Sequence, residues 1–277
     1  MSPVNVVAVD IGGTFTDLVV QRPLRVRQVL KLPTTTDRPE IAVLRAVRAL
    51  GLTGTSEVVH ATTLATNSLL TPTERLLRSV GLLTTEGFRD VLEIGRQNRP
   101  SLYDLNFSRP RPLVASENRR EVSERTNAAG TIVRPAHEPE LRSTSAKLKR
   151  NGVRSLAISF LHSYKNPTNE RRAAATARRL FPHVSASSEI APEPREFERT
   201  STVVVNAVLM PVVSDYLSRL QEGLASLGVR QVSVMASSGG LVDPREAAAR
   251  PVQIVESGPA AGVVAAAALG VDAVRPP

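Results

Sequence analysis

No cysteine stands anywhere in the 277 residues, so disulfides and thiolate metal sites are excluded, and thiol chemistry does not constrain the compartment. Tryptophan is absent as well, and aromatic residues make up only 3% of the chain. A protein that stacks bases on rings needs more, so the net charge of +9 does not by itself make a nucleic-acid binder. The positive charge is nearly all arginine, spread along the whole length, and its densest cluster, residues 109–120, is proline-rich and reads as a loop. Such a balance suits a polyanionic small molecule or an acidic partner subunit better. The only candidate membrane segment, residues 259–274, is short, alanine-rich and interrupted by Asp272, so a buried helix and no membrane partner are expected. The first strand begins almost at once, with no secretory signal ahead of it, and a cytoplasmic location is the expectation. Neither G-x-x-x-x-G-K-[ST] nor G-x-G-x-x-G occurs, which argues against the two common phosphate-binding loops.

What is present begins with residues 6–20, VVAVDIGGTFTDLVV. An apolar run ends in Gly12-Gly13, and Thr14, Thr16 and Asp17 lead into a second apolar run: a strand, a tight polar turn and a returning strand. Glycine lets a ligand approach the backbone and permits positive φ. The turn therefore offers N–H groups and two hydroxyls to an anion. Asp10 and Asp17 bracket it, and carboxylates so near a phosphate make sense with a divalent cation or a water between. A hairpin turn whose hydroxyls satisfy its own backbone is the plainer alternative.

Further along, residues 25–32 read as a third strand, 39–50 as a helix, 58–59 as a short strand, 62–70 as a hydroxyl-rich helix, 79–84 as a buried strand and 87–94 as a helix. That order suggests one contiguous lobe of three strands followed by helix, strand, helix, strand. Residues 96–115 carry turn signals only, and a loop this long is either disordered or functional. Residues 120–134 read as a hairpin. A second α/β segment follows: helices at 137–151 and 167–180, strands at 155–161 and 184–187. The longest helical region, 193–227, contains Pro211 and reads as two helices or one kinked one. Residues 231–236 are a strand running into the glycine turn 237–240, and 252–255 are a further strand before a small-residue helix. Two domains are expected, 1–190 and 191–277.

Several stretches, in order, are similar to one family: VDIGGTFTD, HATTLATN from His60, GLLTTEGFRDVLEIGRQNRPSLYDL, APEPREFERTSTVVVNAVL, MASSGGL and VESGPAAGVV. Together they resemble the hydantoinase A, 5-oxoprolinase and acetone carboxylase β-subunit family over nearly the whole chain. The first of them, D-x-G-G-T-x-T-D, also resembles the first phosphate loop of the actin, sugar-kinase and Hsp70 superfamily. The resemblance implies an α/β, actin-like (ribonuclease-H-like) ATPase fold, with an N-terminal ββα-type lobe and the start of a second. It implies ATP and Mg²⁺ as cofactors and ATP-dependent opening of a cyclic amide such as a hydantoin or 5-oxoproline. The carboxylase branch implies phosphorylation of an enolisable ketone or its carboxylation partner. Family members are longer and carry a second D-x-G-G-T-S-T-D loop that this chain lacks, so a partner subunit or C-terminal half is expected. A non-catalytic relic or assembly module and a small-molecule kinase remain open.

Carried onto this chain, the resemblance makes Asp10 the holder of a Mg²⁺-bound water and Gly12, Gly13, Thr14 and Thr16 the phosphate contacts. Asp17 orients the threonines or the metal shell, and His60 joins Asp10 and Asp17 as catalytic. His60, Thr62, Thr63 and Asn67, at the end of a strand and the start of a helix, are candidates for substrate contact; helix capping and a packed histidine explain them as well. Arg195, Glu198 and Arg199, with Glu196, make either a substrate or interlobe site or a solvated, salt-bridged helix start. Exposed apolar surface is expected near residues 252–274.

Overall fold

A computed structural model of the chain describes residues 6–21, 27–35, 37–52, 57–98, 103–104, 106 and 110–274. Arg25, the expected start of the third strand, and Arg109, the start of the arginine cluster, lie outside them. In chain order the elements are β1 (Val6–Ile11), β2 (Phe15–Gln21), β3 (Arg27–Pro33), α1 (Glu40–Ala49), β4 (Glu57–Thr62), α2 (Leu64–Leu70), α3 (Glu74–Arg78), β5 (Val80–Thr85) and α4 (Val91–Ile94). Next come β6 (Arg119–Val122), β7 (Arg125–Thr126), β8 (Ile132–Arg134), α5 (Glu138–Arg150), β9 (Ser155–Ser159), α6 (Thr168–Ala177), β10 (His183–Ala186), α7 (Ser187–Ile190) and α8 (Glu196–Ser226). The chain closes with β11 (Gln231–Met235), β12 (Leu241–Val242), α9 (Pro244–Ala249), a 3₁₀ turn at Pro251–Ile254 and α10 (Ser257–Val274).

These elements form two compact units, Met1–Thr71 with Val212–Pro277, and Pro72–Pro211. The first unit holds a six-stranded sheet in the order β12-β11-β4-β1-β2-β3. β1, β2 and β3 are successive antiparallel strands, and β4 and β11 lie parallel to β1. Val7, Val9 and Ile11 are buried and alternate with the exposed Ala8 and Asp10, the period-2 pattern of a sheet with one face in the core. α1 buries Ala42, Val43, Ala46 and Val47, and the second half of α8 buries Val213, Tyr216, Leu217, Leu220 and Leu224. A Cβ on Gly223 would come within 2.4 Å of Leu44 Cδ1, so glycine is what lets α8 lie so close to α1.

The second unit holds a four-stranded parallel sheet in the order β10-β9-β5-β6. Every residue of β5 and β9 is buried, as expected of strands covered on both faces. Leu141 and Leu148 of α5, Ala173, Ala174 and Ala177 of α6, and Leu156 and Ile158 of β9 share one core. α8 runs unbroken through Pro211. A proline there cannot donate to the carbonyl of Ala207 four residues earlier, and the buried Ser155 hydroxyl donates to that carbonyl instead, at 2.5 Å. The orphaned acceptor is satisfied from outside the helix, so neither the kink nor the break expected from the sequence occurs. By length and composition α8 is also apolar enough to cross a membrane, but 56% of its most apolar window is buried within the protein.

Other expectations are corrected. The first sheet is not contiguous in sequence: its fifth member is β11, while β5 belongs to the second sheet. Residues 119–122 join β5 in parallel, which leaves a hairpin of only β7 and β8. Residues 251–254 form a 3₁₀ turn, with Gln253 N–H donating to Arg250 O at 3.0 Å, where a strand was expected. Apolar alternation shows that a segment is buried but not which strand it lies beside.

Candidate functional site

The β1–β2 turn is built from both ends. Asp10 lies opposite Asp17 and Ile11 opposite Thr16, and the Gly12 N–H donates to Phe15 O at 2.9 Å. Neither Gly12 nor Gly13 is among the positive-φ residues. What the turn requires is room: a Cβ on Gly12 would sit 3.1 Å from Phe15 O, and one on Gly13 would sit 3.4 Å from Asn67 Nδ2. Thr34, a residue the sequence reading did not single out, holds the turn. Its hydroxyl donates to Gly12 O at 2.9 Å, and its N–H donates to Thr14 O at 2.9 Å. With that proton spent, Thr16 is the donor in the 2.9 Å contact between the two hydroxyls. Thr16 is fully buried, so its side chain holds Thr34 and does not present a hydroxyl to a ligand, a correction to the expected phosphate contact. Thr14 and Gly13 are exposed.

Asp10 is exposed beside this turn. Partial desolvation, and then the Asp17 carboxylate opposite, raise its pKa above the ordinary aspartate value. A cation at Asp10 would relieve both effects. Asp17 is itself paired with Lys31, whose Nζ stands 3.1 Å away. The described residues hold no cluster of three or more His, Asp or Glu able to bind a metal ion on their own. A divalent ion here would depend on a ligand's own oxygens, the usual situation of Mg²⁺ on phosphates.

β4 brings the second group of expected residues alongside. Thr63 N–H and Thr63 Oγ1 both donate to Ile11 O, at 2.9 and 3.1 Å, and Asn67 Nδ2 lies 3.4 Å from Thr63 Oγ1. Gly12, Gly13, Thr34, Thr63, Leu64 and Asn67 line a cavity of about 220 Å³. Thr62 is buried, and its hydroxyl accepts from Leu64 N–H at 3.1 Å, so capping is its role. Its backbone is clasped by Ser257, whose hydroxyl accepts from Thr62 N–H at 3.1 Å and donates to Thr62 O at 3.0 Å. That bond brings Gly258 close enough for a Cβ there to lie 3.7 Å from Asp10 Oδ1. Gly258, at the start of α10, thus packs against Asp10, and the Gly262 to Ala267 stretch of that helix is exposed and apolar: the apolar surface expected near residues 252–274 is present, while the helix expected to be buried over 259–274 is not buried along that stretch.

His60 corrects the sequence reading. It is fully buried, opposite Val9 in the register, on the sheet face away from Asp10. Its Nε2 lies 2.8 Å from the hydroxyl of the equally buried Tyr216, and burial lowers its pKa to about 4. A neutral imidazole sealed in the core contacts no substrate in this conformation. The same face holds Glu40, 1% exposed, bonded to Arg38 at 2.9 Å and Arg219 at 3.0 Å. Burial alone would raise the Glu40 pKa, but its own N–H and these guanidinium groups outweigh that and lower it.

The third group belongs to the other unit. Arg199 is 2% exposed; it donates to Phe160 O at 2.9 Å and to Ser163 Oγ at 3.3 Å, and its Nε has no partner. It ties α8 to the end of β9, which is a structural role. Glu198 is ion-paired with Arg96, and Arg195 is exposed with φ of 82°.

Residues 6–181 match the family profile described as the hydantoinase/oxoprolinase N-terminal region, and 199–275 match that described as hydantoinase/oxoprolinase. The chain is 43% identical over 267 residues to an uncharacterised protein of Methanocaldococcus jannaschii, covering 94% of this chain and 39% of that one. It is 33% identical to the caprolactamase subunit alpha of Pseudomonas jessenii (95% and 40% covered). It is 32% identical to the 5-oxoprolinase of Saccharomyces cerevisiae (93% and 23%). Among solved structures it superposes on the ATP-dependent caprolactamase of Pseudomonas jessenii with a TM-score of 0.82 and 32% identity (96% and 41% covered). On nucleotide-free acetone carboxylase the TM-score is 0.81, at 27% identity (97% and 41%). The chain thus spans about two fifths or less of the length of the relatives it matches.

Proposed function

Because the chain belongs to the hydantoinase/oxoprolinase family, we propose that it is the nucleotide-binding portion of an ATP-dependent enzyme that opens a cyclic amide, working with a further subunit or segment. An actin-like phosphate-loop fold is part of the same reading. The observation that carries it is the Gly12-Gly13 turn, which lines a cavity of about 220 Å³ and has the exposed Asp10 and Thr14 as its near neighbours in the chain. In this reading Gly12, Gly13 and Thr14 contact the terminal phosphates of ATP, Asp10 holds a water of the bound Mg²⁺, and Thr63 and Asn67 form the opposite wall. The Mg²⁺ supplies neutralising charge at the phosphates. Asp17 keeps Lys31 engaged, and Thr16 and Thr34 keep the turn in shape.

An amide resists water because its nitrogen lone pair is delocalised and its leaving group is poor. Transfer of the terminal phosphoryl group to the carbonyl oxygen, with ADP departing, gives that oxygen a good leaving group. Water then adds to the carbon, the ring C–N bond breaks with the nitrogen taking up a proton, and the acyl phosphate so formed is hydrolysed by a second water to carboxylate and inorganic phosphate. No nucleophilic side chain is required, consistent with a chain that has no cysteine and whose candidate histidine is buried.

Isothermal titration of Mg-ATP into the chain, with and without its remaining segments or partner subunit, tests the reading. Binding that Asp10→Ala weakens at least tenfold supports it, and absence of binding in both settings removes it. A ketone carboxylase is the second reading, favoured by the TM-score of 0.81 to acetone carboxylase. Phosphate release that depends on a ketone with bicarbonate, and not on a lactam, would select it.

A further inference from the structure

We propose that a cavity near the carboxyl edge of the four-stranded sheet binds a small organic carboxylate with an apolar body. The chain places β6 on one side of β5 and then β9 and β10 on the other. The connections leaving β5 and β9 therefore part in opposite directions, and ligands of open α/β sheets bind where strand order reverses in this way. The first turn of α8 lies across those strand ends through Arg199 to Phe160 O and Thr200 to Ser159, 2.8 Å apart. Between that turn and α4 is a cavity of about 550 Å³, lined among others by Leu92, Arg96, Gln97, Pro110, Arg111 and Phe197. That volume suits a small molecule.

The lining decides the chemistry. Leu92, Pro110 and Phe197 offer apolar walls. The carboxylate of Glu93 is engaged by Arg119 at 2.5 Å, and Arg96 is shared with Glu198. Arg111 forms no ion pair among the described residues. A planar guanidinium with an unspent fork matches a carboxylate in two hydrogen bonds. The backbone is also unusual. The three non-glycine residues with positive φ among those described, Gln97 (57°), His162 (55°) and Arg195 (82°), are respectively in the lining, just after β9 and just before α8. Backbone held in that region by its surroundings is a mark of ligand sites.

The inference rests on the cyclic-amide reading only for the choice of probes: 5-oxoproline, a lactam with a carboxylate; 2-pyrrolidinone, the same ring without it; and inorganic phosphate. Amide NMR of the chain reads each titration. Shifts from 5-oxoproline at Leu92, Gly95, Gln97 and Phe197, with 2-pyrrolidinone at least tenfold weaker, are expected. Arg111→Ala should bring the two probes to equal affinity, and Arg111→Lys should recover part of the preference. Shifts mapping elsewhere, equal affinities in the wild type, an unaffected Arg111→Ala or a response to phosphate alone would each overturn the proposal. Mg-ATP added to the same sample reads Gly12, Gly13 and Thr14 separately, so failure at one site is told apart from failure at the other.

Discussion

Both sheets collect polar residues at the carboxyl ends of their parallel strands, and the two units treat them in opposite ways. In the second unit they are spent on one another. Thr84 donates to Ser159 O at 2.9 Å, Thr85 bonds to Glu124, and Asn169 donates to the same carboxylate at 2.7 Å. Glu170 accepts from Phe160 N–H at 2.8 Å, Ser187 Oγ at 2.9 Å and Ser188 N–H at 2.6 Å. In the first unit Thr16 and Thr34 are spent in this way, while Asp10 and Thr14, next to the Gly12-Gly13 turn, and Asn67, in the lining of the cavity, remain exposed. Hydroxyls and carboxylates at a strand end do not by themselves announce a site; those left unsatisfied by neighbours do.

Four measurements sharpen or break that contrast. Glu170→Ala strips the acceptor from a buried N–H group, a part-buried one and a buried hydroxyl and removes a nearby negative charge from Arg199; a loss of roughly 3–5 kcal/mol in chemical denaturation is expected. His60 gives a pH signature. Its pKa is depressed to about 4 from 6.5, so the neutral imidazole contributes stability fully present above pH 6.5 and lost as pH falls toward 4, about 3 kcal/mol in all. His60→Gln should flatten the denaturation profile over that window. Ser155→Ala leaves Ala207 O without its donor at the proline and should cost about 1–3 kcal/mol, measured the same way. Asp10→Asn has the smallest effect on the fold, within about 0.5 kcal/mol. Because the folded state raises the Asp10 pKa, its charge is a cost at neutral pH, and the neutral amide should hold or slightly raise stability. Its effect belongs to Mg-ATP affinity, expected to fall at least tenfold in calorimetry. A large stability loss there, or a small one at Glu170, would erase the difference between the two sheet ends.

Much of this was legible in the residues. The strand, turn and returning strand around Gly12 follow from two apolar runs and two glycines, and α1, α5 and α6 from apolar periodicity with their stops. Ordered short segments carried the family. Distance in sequence hid the rest. Nothing local to HATTLATN shows that His60 turns inward, because the hydroxyl that receives it, Tyr216, is 156 residues away. Thr34 lies in a run of threonines whose other members look equivalent, and only its bonds to Gly12 and Thr14 distinguish it. Pro211 signalled a break that Ser155, 52 residues before Ala207, prevents. Of the expected site, Asp10, Gly12, Gly13, Thr14, Thr63 and Asn67 come together, whereas Thr16, Thr62, His60 and Arg199 are engaged within the core.

The pairing of β4 with β11 also bears on biosynthesis. A ribosome makes β1 to β4 first, then the whole of the second unit as one uninterrupted stretch, and only afterwards the strand that pairs with the open side of β4. While those intervening residues are translated, the nascent polypeptide carries an apolar strand edge without its neighbour, the kind of surface that invites aggregation. The second unit is therefore positioned to fold on the ribosome by itself, and the first is expected to lean on chaperones until its late strand emerges.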